Sequence, residues 1–206
     1  MARSKTKKRS GKSKRFHIKM AASENYWQPV ARAILAQTGL PAVAAVSPAE
    51  IGDGVYTALT APLQEALRRM LDGTAQFQDF WCLLQGAYFM LYAYEYVLTE
   101  ENYRFASDGA VSEQAAQTYW KEKHTGLLDR TAHDYTAVFK SVGERQKRTN
   151  RYGLTGEEQK LLHEMLENLG ELLDWGSIRM VYHAASCVNT ELRNCEHRIL
   201  QSRLKG

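Results

Sequence analysis

The stretch of sequence that decides the fold runs from Phe80 to Leu98 and reads FWCLLQGAYFMLYAYEYVL. Counted from Phe77, apolar and aromatic residues recur every three or four positions, which is the spacing of one face of an α-helix. Aromatic side chains also fall on its other faces, so we predict a central helix that is surrounded by neighbouring helices. The stretch is nearly long enough to span a bilayer, but Gln85, Glu95 and four tyrosines favour a buried core helix over a membrane segment.

Helix-end signals occur on both sides of this stretch. Pro29 suits the first turn of a helix that ends near Thr38. Pro62 suits the first turn of a second helix, which we expect to end at Asp72-Gly73. The residues Thr155-Gly156-Glu157-Glu158 have the spacing of a capping box, and they predict a helix over the leucine-rich segment that follows.

The C-terminal half continues the helical pattern. Three further helices are predicted, over residues 112–124, 127–142 and 177–204. Gly126 separates or kinks the first two of these helices. Residues 141–153 read SVGERQKRTNRYG, which is polar and without apolar periodicity, so we predict an interhelical loop there. Strand patterns are almost absent, and the sequence therefore predicts an all-α fold, a single helical bundle of about six to eight helices over residues 23–206.

Residues 1–22 differ from the rest of the chain in charge, and we predict that they form a disordered basic tail. The chain has 27 lysines and arginines and 23 acidic residues, and residues 1–19 contain nine of the basic residues and no acidic one. The remaining 18 basic and 23 acidic residues give residues 20–206 a net charge of −5. Because charge blocks of one sign stay solvated and bind polyanions, this segregation favours a nucleic-acid partner.

Other uses of a basic terminus stay open at this point. It can solubilise the chain, act as a nuclear-localisation signal, anchor to an anionic membrane or dock on an acidic protein surface. Met20 also offers an alternative translation start, and a chain that began there would lack the tail.

Two groups of cations are candidate phosphate contacts. Those of the tail are Arg3, Lys5, Lys7, Lys8, Arg9, Lys12, Lys14, Arg15 and Lys19. Because six of these nine are lysines, we expect them to bind nucleic-acid backbones with little sequence preference. The second group is Lys140, Arg145, Lys147, Arg148 and Arg151. Asn150 and Tyr152 lie beside it and could bond to or stack on bases, although a solvated charged loop is the alternative interpretation.

Patterns for metal binding are incomplete. His183 and Cys187 lie four residues apart on a predicted helix, with Glu191 one turn further. A structural zinc site needs four ligands, so we predict no metal, and a buried cysteine with a hydrogen-bonded histidine is the simpler interpretation.

Catalytic patterns are also lacking. The sequence contains no glycine-rich phosphate loop, nucleophile elbow or zinc-finger spacing, so we predict no enzymatic activity and no cofactor. An acidic surface is expected on one helix, where a solvated face is the simplest interpretation; its residues are Glu164, Glu167, Glu171 and Asp174. Among the eleven tyrosines, Tyr94 and Tyr96 are predicted to lie at a protein interface.

These features predict a non-enzymatic accessory protein that binds DNA, RNA or a nucleoprotein complex, with the tail contacting phosphates and the helical body giving specificity. The alternative is a protein-binding adaptor or inhibitor that acts through an acidic, tyrosine-rich helical surface. Three cysteines cannot all pair within one chain, which favours reduced thiols and a cytoplasmic location, or a nuclear one if the chain is eukaryotic. We expect neither export nor a membrane partner, because no apolar run follows the basic stretch.

Overall fold

The protein is built from helices. The computed structural model describes residues 21–38, 51–99 and 113–204, with side chains at 29–37, 51–98 and 121–191, and the basic tail lies outside these ranges. The described residues confirm the predicted all-α helical bundle. In chain order the helices are α1 (Ala21–Thr38), α2 (Asp53–Leu71), α3 (Phe77–Thr99), α4 (Glu113–Arg130), α5 (Thr136–Thr149), α6 (Gly156–Trp175) and α7 (Ile178–Leu204). A π-helical turn, Thr131–Tyr135, joins α4 to α5 without a break.

Helix α3 is the centre of the bundle, as its apolar pattern predicts. It packs against α1, α2, α4, α5 and α7. Leu83, Phe89, Met90 and Ala93 on this helix are all buried. At about 100° per residue these four lie on one side of α3, while Tyr88 on the other side is half-buried against the core, so the helix has neighbours on both sides.

Helices α1 and α2 begin earlier than the proline signals predict, because Pro29 and Pro62 lie inside them. The predicted starts at these two prolines are therefore wrong. A proline inside a helix removes one backbone hydrogen bond and costs about 3 kcal/mol. In α2, buried residues flank Pro62 on the core face, with Leu59 before it and Leu63 after it. Burial of an apolar side chain contributes about 1.5–3 kcal/mol, so packing on both sides of the proline offsets its cost.

The turn between α2 and α3 is closed by local bonds, and it confirms the predicted stop at Asp72-Gly73. Gly73 adopts a left-handed conformation with φ of 70°, which a glycine takes without steric cost. The Thr74 N–H donates to the Arg69 carbonyl at 3.0 Å, and the Gly73 N–H donates to the Met70 carbonyl at 3.4 Å. These are the two bonds of a Schellman motif.

Helix α5 replaces most of the loop that the sequence predicts at residues 141–153, and that prediction is wrong. The chain runs as α-helix through Gly126, passes the π-helical turn and stays helical to Thr149. Buried Val138, Phe139 and Val142 fix the inner face of α5. Asn150 ends the helix with φ of 57°, and its N–H donates to the Gln146 carbonyl at 2.7 Å.

Helices α6 and α7 begin where the sequence predicts. The capping box at the start of α6 is present, since the Glu158 N–H donates to Thr155 Oγ1 at 3.3 Å and the Thr155 N–H donates to Glu158 Oε2 at 2.7 Å. Helix α7 occupies the predicted C-terminal range. No helix among the described residues combines the length and apolar content needed to cross a membrane.

Candidate nucleic-acid interface

Four exposed cations lie along α5 and just beyond its end. We call this group the α5 basic end, and its members are Lys140, Lys147, Arg148 and Arg151. Within the described part of the chain, no carboxylate forms a salt bridge with any of them. Glu144 is the only acidic residue between positions 136 and 155. The surface therefore carries a local excess of positive charge that the described residues do not neutralise.

Arg145, the fifth predicted cation of this region, has a different role. Its guanidinium binds the Glu158 carboxylate through two parallel hydrogen bonds, with Nη1 2.9 Å from Oε2 and Nη2 2.7 Å from Oε1. Nη1 also donates to the Gly153 carbonyl. Because its hydrogen bonds are made inside the protein, Arg145 anchors the connection between α5 and α6 and does not share the open surface of the other four cations.

Glu158 is held in its charged form by these contacts. Burial alone would raise the pKa of its carboxyl, but hydrogen bonds from Arg145, from the Thr155 backbone and from Ser141 outweigh burial and lower the pKa to about 2. The same carboxylate thus caps α6 and holds α5. This double role fixes the position of the α5 basic end relative to the bundle.

Tyr152, a predicted base-stacking residue, is half-buried against the core. Its ring packs against Phe80 with 5.3 Å between ring centroids, and Phe80 in turn meets Phe139 edge-on at 5.8 Å. Burial raises the pKa of the Tyr152 hydroxyl. Tyr152 therefore belongs to the margin of the core, while Asn150 stays exposed at the end of α5.

The two tyrosines predicted at a protein interface, Tyr94 and Tyr96, differ in burial. Tyr94 is only 1% exposed and its ring lies 5.8 Å from that of His124, so its assignment to a partner surface is wrong. Tyr96 is half-buried, with its ring 4.8 Å from that of His183. Tyrosines occur both on the buried side of α3 and on its half-buried side, so the tyrosine-rich pattern alone does not show which of them is covered.

The nine tail cations at positions 3–19 lie outside the described residues. The predicted basic surface is therefore represented in the described structure by the α5 basic end. Lys140 and Lys147 lie seven residues apart on α5, about 10 Å along the helix axis. Since duplex DNA carries one charge per about 1.7 Å of its axis, a surface of this length can face several phosphates.

The acidic face of α6 is partly neutralised. Arg130 bonds to Glu164 at 2.7 Å and Lys123 bonds to Glu171 at 3.0 Å. Glu167 and Asp174 form no salt bridge with any cation in the described ranges. Both line a cleft of about 640 Å³ between α2 and α6. The sequence shows each of these residues but does not show that α2 faces α6, so the cleft was not predicted.

His183 and Cys187 are close enough to interact. The Cys187 sulfur lies 3.6 Å from His183 Nε2, and burial raises the pKa of the thiol. No group of three or more metal-ligating side chains was found among the residues with described positions. A neutral thiol beside an imidazole makes a hydrogen bond, which accounts for this pair.

Comparison with known proteins adds no further assignment: no family model, no curated protein and no solved structure matches the chain. The chemistry available at the surfaces follows from the side chains themselves. The α5 basic end can neutralise phosphates, and the α2–α6 cleft can bind cations.

Proposed function

We propose that the protein is a non-enzymatic accessory protein that binds nucleic acid or a nucleoprotein complex. The basic tail and the α5 basic end contact phosphates, and the helical body supplies specificity. Such contacts release counterions from the nucleic acid and tolerate many sequences, since they recognise the backbone and not the bases.

The proposal rests on the cations of the α5 basic end, which are exposed and form no salt bridge with a described residue. An exposed cation that serves stability usually has a carboxylate nearby, as Arg68 has Glu65 at 2.8 Å. Lys147 and Arg148 form no salt bridge with any described residue, although Glu144 lies three and four residues before them on the same helix. Cations near the end of a helix also favour its dipole, but this effect amounts to only about 0.3–1 kcal/mol and does not require exposure of four charges.

The test is a binding assay by fluorescence anisotropy on duplex DNA, single-stranded DNA and duplex RNA at about 100 mM salt. Three proteins are compared with the wild type. One lacks residues 2–19, one carries K147Q and R148Q, and the control carries R32Q and K121Q. Arg32 and Lys121 are exposed, lie on α1 and α4, and form no salt bridge with a described residue, so the control removes the same charge elsewhere.

We expect the tail deletion to weaken binding by more than about tenfold and the α5 variant to weaken it by about three- to thirtyfold. The control should change affinity by less than about twofold. Equal losses of affinity in the α5 variant and the control would show that only net charge matters. An unchanged affinity after deletion of the tail would refute the proposed role of the tail.

A protein-binding adaptor is the second candidate, and the unpaired carboxylates of the α2–α6 cleft favour it. Such a partner would present cations to Glu167 and Asp174. Capture of one partner that survives both nuclease treatment and deletion of residues 2–19, and is lost in an E167Q/D174N variant, would favour this function over the first.

A further inference from the structure

The α2–α6 cleft combines apolar residues with an acidic wall on α6. Leu67 is buried at its base, and Leu71 is 39% exposed at its margin. Gly170 keeps the cleft open beside Tyr56, because a methyl group at this position would lie 3.1 Å from the Tyr56 hydroxyl oxygen. The cleft therefore offers both apolar surface and charge to an occupant.

The positive residue in this cleft does not neutralise the carboxylates of α6. Arg68 already binds Glu65 and Asp72 on its own helix, at 2.8 and 2.6 Å. Glu171 is likewise bound by Lys123. This leaves Glu167 and Asp174 as carboxylates without a salt-bridge partner among the described residues. An occupant that matches the cleft is consequently positive and has aliphatic segments that can cover leucines.

We propose that the cleft binds the chain's own basic tail, residues 3–19, when no nucleic acid is present. The tail has nine cations and no carboxylate, and six of the cations are lysines. A lysine places its four-carbon stem on apolar surface while its ammonium group stays with a carboxylate or water. The stems suit Leu67 and Leu71, and the ammonium groups suit Glu167 and Asp174.

The connectivity of the chain allows this docking. The tail leads into α1, which packs against α2, and α2 forms one wall of the cleft. Residues 3–19 extended would span up to about 56 Å, whereas α2 with its 19 residues is about 28 Å long. The extended tail is therefore longer than α2. Because the two parts belong to one chain, their effective concentration is of order millimolar, at which even weak ion pairs are populated.

Docking makes the cleft a competitor of nucleic acid for the tail, and this consequence rests on the proposed function. A docked tail is not free to contact phosphates, so the apparent affinity for nucleic acid falls by the fraction of molecules in which the tail is free. A nucleic acid presents many more negative charges than the two carboxylates of the cleft do. A long polyanion would therefore displace the tail, while small anions would not.

The docking itself is tested without nucleic acid. The full chain is treated with a carbodiimide, which links an amine to a carboxylate in direct contact, and the links are located by mass spectrometry. Mixing ¹⁵N-labelled and unlabelled protein separates links within one chain from links between chains. We expect links within one chain from tail lysines to Glu167 or Asp174, and we expect them to disappear when duplex DNA is added in excess. Links spread evenly over exposed carboxylates such as Glu122 and Asp129 would overturn the docking.

The competition is tested by affinity in two backgrounds. In the full chain, E167Q/D174N should bind duplex DNA about two- to tenfold more tightly than wild type. E122Q/D129N removes the same charge from α4 and should have a smaller effect. In the chain that lacks residues 2–19, the two double variants should behave alike. A gain of the same size with and without the tail would overturn the competition, whereas cleft-specific links in a protein that binds no nucleic acid would refute the proposed function alone.

Discussion

Arg145 and Glu158 bind each other in a two-bond pair across the connection between α5 and α6. The side chain of Arg145 is 24% exposed and that of Glu158 is 10% exposed, so the pair is largely removed from water. Removing either partner would leave the other charge buried without compensation. The pair therefore holds α5 and α6 in place.

Replacing Arg145 with alanine should therefore destabilise the protein by about 1–3 kcal/mol. Glu158 would lose two hydrogen bonds, and the Gly153 carbonyl would lose a donor. The free energy of unfolding in urea measures the effect. K147A removes an exposed cation from the same helix and should stay within about 0.5 kcal/mol of wild type. An equal change in both variants would mean that the pair contributes nothing beyond an ordinary surface charge.

The second prediction concerns pH and His124, which is 1% exposed and stacks on Trp175 with 4.6 Å between ring centroids. Burial, with a smaller effect from Lys123, lowers its pKa from 6.5 to about 4. Protonation then favours the unfolded chain, whose histidine keeps the higher pKa. The contribution of His124 to stability is complete above pH 6.5 and is lost as the pH falls from 6.5 towards 4.

This behaviour is checked by urea unfolding at several pH values together with NMR titration of the imidazole. In H124Q, the fall in stability between pH 6.5 and 4 should be smaller than in the wild type, while the loss that the lowered pKa of Glu158 causes at lower pH should remain. A histidine at this position that titrates near its ordinary value would contradict the prediction.

Two glycines in helices should respond in opposite directions to alanine. A methyl group on Gly86 in α3 would lie 2.8 Å from Leu63 Cδ2, and Leu63 is fully buried. G86A should cost about 1–3 kcal/mol despite the better helix propensity of alanine. Gly126 in α4 has nothing within 4 Å of the same position, so G126A should stabilise by about 0.5–1 kcal/mol. Thermal unfolding of the two variants gives the comparison, and two shifts in the same direction would refute it.

The salt dependence of nucleic-acid binding provides a fourth prediction. For duplex DNA, each phosphate contact contributes about −0.9 to the slope of log K against log salt. K147Q/R148Q should therefore make the slope about 1.8 less steep between about 50 and 200 mM salt. The R32Q/K121Q control should keep the wild-type slope. If both pairs shift it equally, the α5 basic end is not the contact surface.

Features set by short-range bonds were predictable from the sequence. The capping box at Thr155 and the stop at Gly73 depend on residues within one or two turns, and both are present. Features that depend on a distant partner were not predictable. Pro62 stays inside a helix because of packing on both sides of it, and Arg145 is neutralised by a residue on another helix. Helix pairing decides such cases, and a single sequence does not reveal it.

The same limit applies to the candidate surfaces. Lys147 and Arg148 were predicted as phosphate contacts from charge alone, and the structure adds that both are exposed. Tyr94 was predicted at a surface and is buried, because the sequence does not show which face of α3 remains uncovered. The cleft between α2 and α6 was missed for a related reason, since its two walls lie far apart in sequence.

The π-helical turn at Thr131–Tyr135 sets the rotational phase of α5 relative to α4. A π-helical turn closes i→i+5 hydrogen bonds, so it holds one residue more than the i→i+4 turn of an α-helix. Removal of one residue from this turn would therefore restore an α-helical turn and leave the directions of Lys147 and Arg145 nearly unchanged. The same deletion inside α5, between the turn and Arg145, would rotate both side chains by about 100°. It would redirect the positive surface and separate Arg145 from Glu158 together.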